Sequence, residues 1–257
     1  MPAIDIAAAL AEFWRERERG VYFPPAWSGK LSLDEAYQVQ LGLINLREAI
    51  GERRIGWKVG LTAAAIQQQF HVHEPVFGCL LEDGLKASGE RFNHAELIRP
   101  GFETEICMRL ARDLAGPTVD LAAAAAAVDV CYPAFEIIET RGDLTKDLPL
   151  ALADNAQQKA FVLGTGVRFT KELDLAAISV SIAMNGEEVA TGRGDAVLGN
   201  PLNSLVWLAG KLHTLGRGLK VGELVMTGSF TRQFALAKGE RIHARFERLG
   251  EVEASFV

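Results

Sequence analysis

The chain has 257 residues, 49% of them apolar, enough for one large domain or one domain with a small appendage and too many for a disordered chain. Its 33 acidic residues outnumber 27 basic ones, giving a net charge of −6, and no Lys/Arg run or basic stripe stands out, which argues against nucleic acid as a partner. An anionic ligand would therefore need local cations or a metal to overcome long-range repulsion.

From the N-terminus, MPAIDIAAALAEFWRERERG lacks a basic segment followed by a clean apolar stretch, so no signal peptide is expected. The spacing of Leu10, Phe13 and Trp14 predicts an amphipathic helix over 4–19. After Pro24 and Pro25, Ser32-Leu33-Asp34-Glu35 matches a capping box and opens a second helix through Val39, Leu43, Leu46 and Ile50. Ile55-Gly56-Trp57-Lys58-Val59-Gly60-Leu61 reads as a strand, and Thr62 is expected to cap a short helix over 63–70. Beyond about residue 75 the pattern changes to strands, so a helical region over 1–75 and a β-rich body over 76–257 are expected, an α+β arrangement.

Within that body, 102–110 and 133–139 read as strands separated by a helix in the alanine run 122–127. Residues 178–184 alternate strictly and run into Asn185-Gly186, a strong hairpin signal. Asn200-Pro201 opens another helix that Gly216 closes, and strands follow at 223–230, 241–247 and 252–257. Cys79, Cys107 and Cys131 are isolated in apolar runs and read as reduced core residues. No apolar run reaches the roughly 18 residues of a membrane span, so no membrane partner and a cytoplasmic location are expected.

The residues that point to chemistry are acidic. In Phe102-Glu103-Thr104-Glu105-Ile106 the two glutamates project from one face of a strand, and Glu136 lies in a second apolar strand segment, Phe135-Glu136-Ile137-Ile138. Adjacent buried carboxylates repel, and a hard divalent cation relieves that repulsion; the alternative is an edge strand with one wet face. Lys58, between Trp57 and Val59, is a candidate cation for a substrate carboxylate or a proton donor, or else an edge lysine whose head reaches water. His71, His73 and Glu74 lie in a segment read as a loop over 71–82, where the two histidines could serve as a general base pair or as metal ligands. Asn155, Thr227 and Ser229 are polar groups suited either to ligand contact or to turns.

Five segments, taken together, carry a resemblance: Gly56-Trp57-Lys58-Val59-Gly60-Leu61-Thr62, Glu103-Thr104-Glu105, Pro133-Ala134-Phe135-Glu136, Ala153-Asp154-Asn155-Ala156 and Val197-Leu198-Gly199-Asn200-Pro201-Leu202. In this order they resemble the 2-keto-4-pentenoate hydratase and 4-oxalocrotonate decarboxylase branch of the fumarylacetoacetate hydrolase superfamily. The resemblance implies a small helical part packed on a mixed β-roll, and a magnesium or manganese ion held by Glu103, Glu105 and Glu136 with Lys58 at the substrate. It further implies a small 2-oxo acid substrate from aromatic-compound degradation and assembly into homo-oligomers. The expected activity is a hydro-lyase adding water to a 2-hydroxy-2,4-dienoate, with His73 or Glu74 handling water. The alternatives are a vinylogous 2-oxo acid decarboxylase, an acylpyruvate hydrolase and a non-catalytic oxo-acid-binding homologue. One departure bears on this choice: Val76 stands where the hydratases often carry an acid after the proline.

Overall fold

The computed structural model describes residues 4–257. Two helices lead: α1 (Ile6–Glu18), capped by Asp5, and α2 (Leu33–Ala49). The expected capping box is present, with Ser32 Oγ accepting from Glu35 N at 3.3 Å and Glu35 Oε2 accepting from Ser32 N at 2.8 Å. Then follow β1 (Arg54–Gly60), α3 (Ala64–Gln69), β2 (Val76–Leu81), β3 (Leu85–Ala87), β4 (Glu90–Phe92), β5 (Pro100–Leu110), α4 (Leu121–Ala127), β6 (Val128–Glu139), α5 (Leu148–Ala153) and β7 (Gln158–Leu163). The chain continues through β8 (Val167–Arg168), β9 (Ser179–Met184), β10 (Glu187–Arg193), α6 (Leu202–Thr214), β11 (Leu224–Ser229), β12 (Phe234–Ala235), β13 (Arg241–Phe246) and β14 (Gly250–Phe256).

The strands form two sheets. The larger runs β2-β1-β11-β5-β6-β7-β3, with β12 also on β5 and β8 also on β6. Its β1–β11 and β3–β7 pairs are parallel and the rest antiparallel, so the sheet is mixed. The smaller runs β10-β9-β13-β14-β4 and packs over β6 and β7 through β14. The α+β expectation holds. The boundary expected at 75/76 falls between β1 and β2, which are hydrogen-bonded neighbours, so the large sheet begins within the region read as helical.

Strands β1 and β2 carry the helices. Tyr37 of α2 stacks on Phe77 with ring centroids 4.2 Å apart, and Trp57 meets the same ring edge-on at 5.7 Å. Gln40, fully buried, donates to the carbonyls of Phe77 and Leu152, tying α2 to β2 and α5. This covering explains why Val76–Leu81 is a buried strand and not the loop expected over 71–82. With both faces covered, it reads as an unbroken apolar run that shows no alternation.

One local expectation needs correction and another holds. Thr62 does not cap α3; the cap position is Ala63 and no side chain serves it, while Thr62 packs against Gly228. The hairpin at Asn185-Gly186 forms with both residues at positive φ, but its second strand, β10, is polar and mostly exposed and carries little pattern of its own. The three cysteines are free and buried. No described helix is long and apolar enough to cross a membrane.

Candidate metal and substrate site

Register brings the acids together. Strand β5 pairs antiparallel with β6 so that Glu103 lies opposite Glu136, and Glu105, two residues on, points from the same face. Oxygens of all three carboxylates lie within 4.8 Å of one another. Glu105 and Glu136 are fully buried and Glu103 half-buried, which removes the reading of a wet strand face.

Glu105 is held by its neighbour strand. The ladder between β11 and β5 is interrupted between Met226 and Ser229, and the amide of Gly228, at φ +112°, turns to donate to Glu105 Oε2 at 2.8 Å. A side chain at 228 would collide with Thr62 at 2.5 Å, so glycine is required for both shape and space.

Lys58 enters from β1, where Gly78 on β2 is its partner and leaves room for its stem; a Cβ there would stand 3.4 Å from Lys58 Cε. Its Nζ lies 3.3 Å from Glu136 Oε1, an ion pair without the alignment of a hydrogen bond. Glu105 Oε1 and both oxygens of Glu136 have no hydrogen-bond partner among the described residues. Buried carboxylate oxygens are rarely left this way, because each forfeits its hydration.

The electrostatics follow. Burial pushes the Glu105 carboxyl well above the ordinary carboxylate range, and the charges of Glu136 and Glu103 add to it. Burial likewise pushes Glu136 up to about 7, against the opposing pull of Lys58, and raises Glu103. For Lys58, burial acts to lower the pKa, but Glu136, Glu103 and Glu105 outweigh it and hold the ammonium above its usual value. With all groups ionised, three carboxylates and one ammonium leave a charge of −2 in a buried space. Oxygen donors, orphaned lone pairs and that residual charge fit a hard divalent cation.

Beside Lys58 and Glu103 opens a cavity of about 420 Å³, walled by apolar side chains that include Leu61, Phe70, Val76 and Leu144. The turn 155–157 contributes Ala156 and Gln157 to it and holds three consecutive residues at positive φ. Several polar residues singled out in the sequence lie outside this lining. The Asn155 amide is occupied by Cys79, accepting from its N at 2.7 Å and donating to its O at 2.9 Å, so this residue anchors the turn to β2. Thr227 is fully buried and donates to the Ile106 carbonyl, and the Ser229 hydroxyl sits 3.5 Å from the Thr104 carbonyl. Glu74 bonds Lys211 and Trp207 on α6, and His73 is exposed. Sequence reasoning missed Arg99, Thr140, Asp143 and Gln233, which the fold gathers at the cavity from three separate segments. Of these only Arg99 carried a local signal, as an isolated cation four residues ahead of Glu103.

The profile of the fumarylacetoacetate (FAA) hydrolase C-terminal family matches residues 58–257. The chain belongs to this family. Among its curated relatives, 2-hydroxyhexa-2,4-dienoate hydratase of Comamonas testosteroni is 36% identical over 88% of this chain and 87% of its own. This family member is also 33% identical to 4-oxalocrotonate decarboxylase of Pseudomonas sp. (strain CF600), over 98% and 97% of the two chains. Among solved structures, 4-oxalocrotonate decarboxylase from Pseudomonas putida G7, complexed with magnesium and adipate, superposes with a TM-score of 0.92 at 31% identity, covering 99% of each chain.

Proposed function

We propose that this protein is a divalent-cation-dependent lyase acting on small 2-oxo acids or their 2-hydroxy-dienoate tautomers, with Glu103, Glu105 and Glu136 as the metal ligands. The observation that carries the reading is the cluster itself: buried carboxylates with unpartnered oxygens, balanced by a single lysine, at the wall of an apolar cavity. Magnesium or manganese held there would supply a Lewis acid for the substrate's 1-carboxylate and 2-oxo oxygens. A solved relative of the same fold is complexed with magnesium, which supports the choice of ion.

The chain's own residues divide the remaining work. Lys58 stays protonated beside Glu136, so its Nζ is placed to hold the substrate's oxo-acid end or deliver a proton to its carbon chain. Leu61, Phe70 and Val76 keep water from the conjugated part. Glu105, fixed by Gly228, is a ligand position that cannot swing away.

Within this class, the cavity favours loss of carbon dioxide from a vinylogous 2-oxo acid, which needs no activated water. Val76 lines the cavity, whereas His73 and Glu74 do not. Asp143, the lining acid outside the cluster, is held by Lys146 and by the Thr145 hydroxyl. Water addition to a 2-hydroxy-2,4-dienoate is the second reading, supported by the identity with the Comamonas testosteroni hydratase. Incubating the protein and magnesium separately with 4-oxalocrotonate and with 2-hydroxypenta-2,4-dienoate distinguishes the two: carbon dioxide release from the first supports decarboxylation, and a 4-hydroxy-2-oxo product from the second supports hydration. Turnover of neither, nor of acylpyruvates, would favour a non-catalytic oxo-acid-binding protein. The reading includes a helical N-terminal region over 1–75 that lends β1 to the sheet of a β-roll catalytic region over 76–257, a cytoplasmic location and homo-oligomeric assembly; light scattering on the purified chain tests the last.

A further inference from the structure

The segment after β6 faces two ways. Thr140, Gly142, Asp143 and Leu144 line the cavity beside Glu103, but Arg141 does not; its side chain, 5% exposed, is buried against the turn 154–158. Every nitrogen of its guanidinium is engaged there. Nε donates to Asp154 Oδ2 at 2.6 Å, Nη1 to Glu139 Oε2 at 2.9 Å and Nη2 to Asp154 O at 3.1 Å. The Gln158 carbonyl accepts from both terminal nitrogens, at 3.3 and 3.4 Å. The Tyr22 ring covers the group, with its centroid 5.1 Å from Cζ.

Those contacts fall on both ends of one turn. Asp154 and Gln158 bracket Asn155, Ala156 and Gln157, whose φ values are +55°, +49° and +61°. A left-handed backbone costs free energy at each residue with a Cβ, and three in succession persist only where the surroundings over-determine them. The Asn155 side chain fixes the turn to β2, and Arg141 ties its two ends together. What the turn carries into the cavity is Ala156 and Gln157. Gln157 is 5% exposed; its Nε2 donates to the Gly142 carbonyl at 3.1 Å, and its Oε1 makes no hydrogen bond among the described residues.

We propose that Arg141 is a positioning residue for this site: by clamping the ends of the turn 154–158 it holds the left-handed backbone that places Gln157 against the bound substrate. A guanidinium suits the task because its donors lie in a fixed planar fork, which here spans two carbonyls and a carboxylate at once. An ammonium is a point charge and cannot do so. Neutralising Asp154 and Glu139 needs only the charge. Holding the turn needs the fork. The inference rests on the 2-oxo acid reading for the reaction it serves and goes beyond it, since Arg141 lies outside both the cavity lining and the three-glutamate cluster.

Arg141→Lys separates the two roles. The lysine keeps a cation beside Asp154 and Glu139, so its Tm should stay near wild type, whereas Arg141→Met leaves both carboxylates without one and should lower it. Magnesium affinity of the lysine variant, read by titration calorimetry, should be unchanged. Its kcat/KM on whichever of 4-oxalocrotonate and 2-hydroxypenta-2,4-dienoate the wild type turns over should nonetheless fall about tenfold to a hundredfold, the cost of a misplaced group beside the substrate. Amide hydrogen exchange of the magnesium-loaded protein, read by mass spectrometry, should quicken over 154–158 while β5 and β6 keep wild-type protection. Gln157→Ala should cost a similar factor in kcat/KM, and adding it to Arg141→Lys should cost nothing more, because both act through one group. Wild-type turnover or wild-type exchange over 154–158 in Arg141→Lys would overturn the clamp, as would additive losses in the double variant. Should Arg141→Lys fail to fold, Asp154→Asn, which removes the carboxylate anchor and keeps the carbonyl bonds, should show the same local exchange, and its absence would equally overturn the clamp. Failure of the activity reading looks different: exchange over 154–158 would depend on Arg141 while the wild type turned over no 2-oxo acid.

Discussion

Replacing Glu105 with glutamine separates the metal reading from every structural one, because it moves stability in opposite directions with and without metal. Glu105 is fully buried, one oxygen accepts from Gly228 N, and the other has no partner. Glutamine keeps the shape and the Gly228 bond and offers N–H donors to the oxygens of Glu103 and Glu136. Without metal, removing one of three crowded carboxylates should leave stability unchanged or raise it by about 1–3 kcal/mol. With metal the sign reverses. At a magnesium concentration about 100 times Kd, the wild-type protein gains about 2.7 kcal/mol by linkage. For a chain of this size that is a Tm rise of about 5–11 °C, at about 2–4 °C per kcal/mol. Glutamine cuts the cluster's residual charge from −2 to −1. One unit charge near 4 Å at an effective dielectric of about 20 is worth about 4 kcal/mol. This weakens binding about a thousandfold and lowers the expected Tm rise at the same magnesium concentration to less than about 1 °C. Scanning calorimetry with and without magnesium, together with titration calorimetry, measures both effects. A Glu105→Gln protein that keeps the wild-type magnesium shift would refute the assignment.

Three further outcomes follow from the same site. Because Glu136 is raised to about 7 from an ordinary 4.5, the folded metal-free protein binds more protons than the unfolded chain between those values, so its stability contribution is present below 4.5 and lost as pH rises through 7. Urea midpoints of metal-free Glu136→Gln should therefore gain on wild type across pH 4.5 to 7, and a constant difference would count against the buried cluster. Lys58→Met should reduce turnover by about 10²- to 10⁴-fold, the usual size of a proton-transfer contribution, while magnesium binding is retained or tightened by loss of a competing cation; activity within tenfold of wild type would remove Lys58 from the chemistry. Gly228→Ala should destabilise the protein by about 1–3 kcal/mol through its clash with Thr62 and its positive φ, and weaken magnesium binding by shifting the amide that holds Glu105, both read by calorimetry.

The legible parts were those governed by local rules. The Ser32–Glu35 box, the Asn185-Gly186 turn and the shared face of Glu103 and Glu105 each depend on a few consecutive residues, whose sterics and hydrogen bonds act over one turn of helix or two strand positions. The short helix after Thr62 was placed correctly but its cap was not, because the Thr62 side chain packs on Gly228, more than 160 residues away. Segment 76–81 looked like loop because a strand covered on both faces has no alternation to read. Asn155 looked like a ligand-binding residue because sequence does not reveal that its amide is occupied by the backbone of Cys79.

By itself, then, the amino-acid sequence determined the class of fold, most of its elements, the family resemblance and the acidic character of the site. Only the tertiary structure decided which acids meet, since the pairing of β5 with β6 sets Glu136 opposite Glu103 and an interrupted ladder aims Gly228 at Glu105. It also decided what surrounds them: Lys58 against Glu136 and Val76 in the cavity wall. The physical reason is separation along the chain. Strand register and burial are set by contacts between distant segments, and no local pattern encodes which distant group a side chain will face.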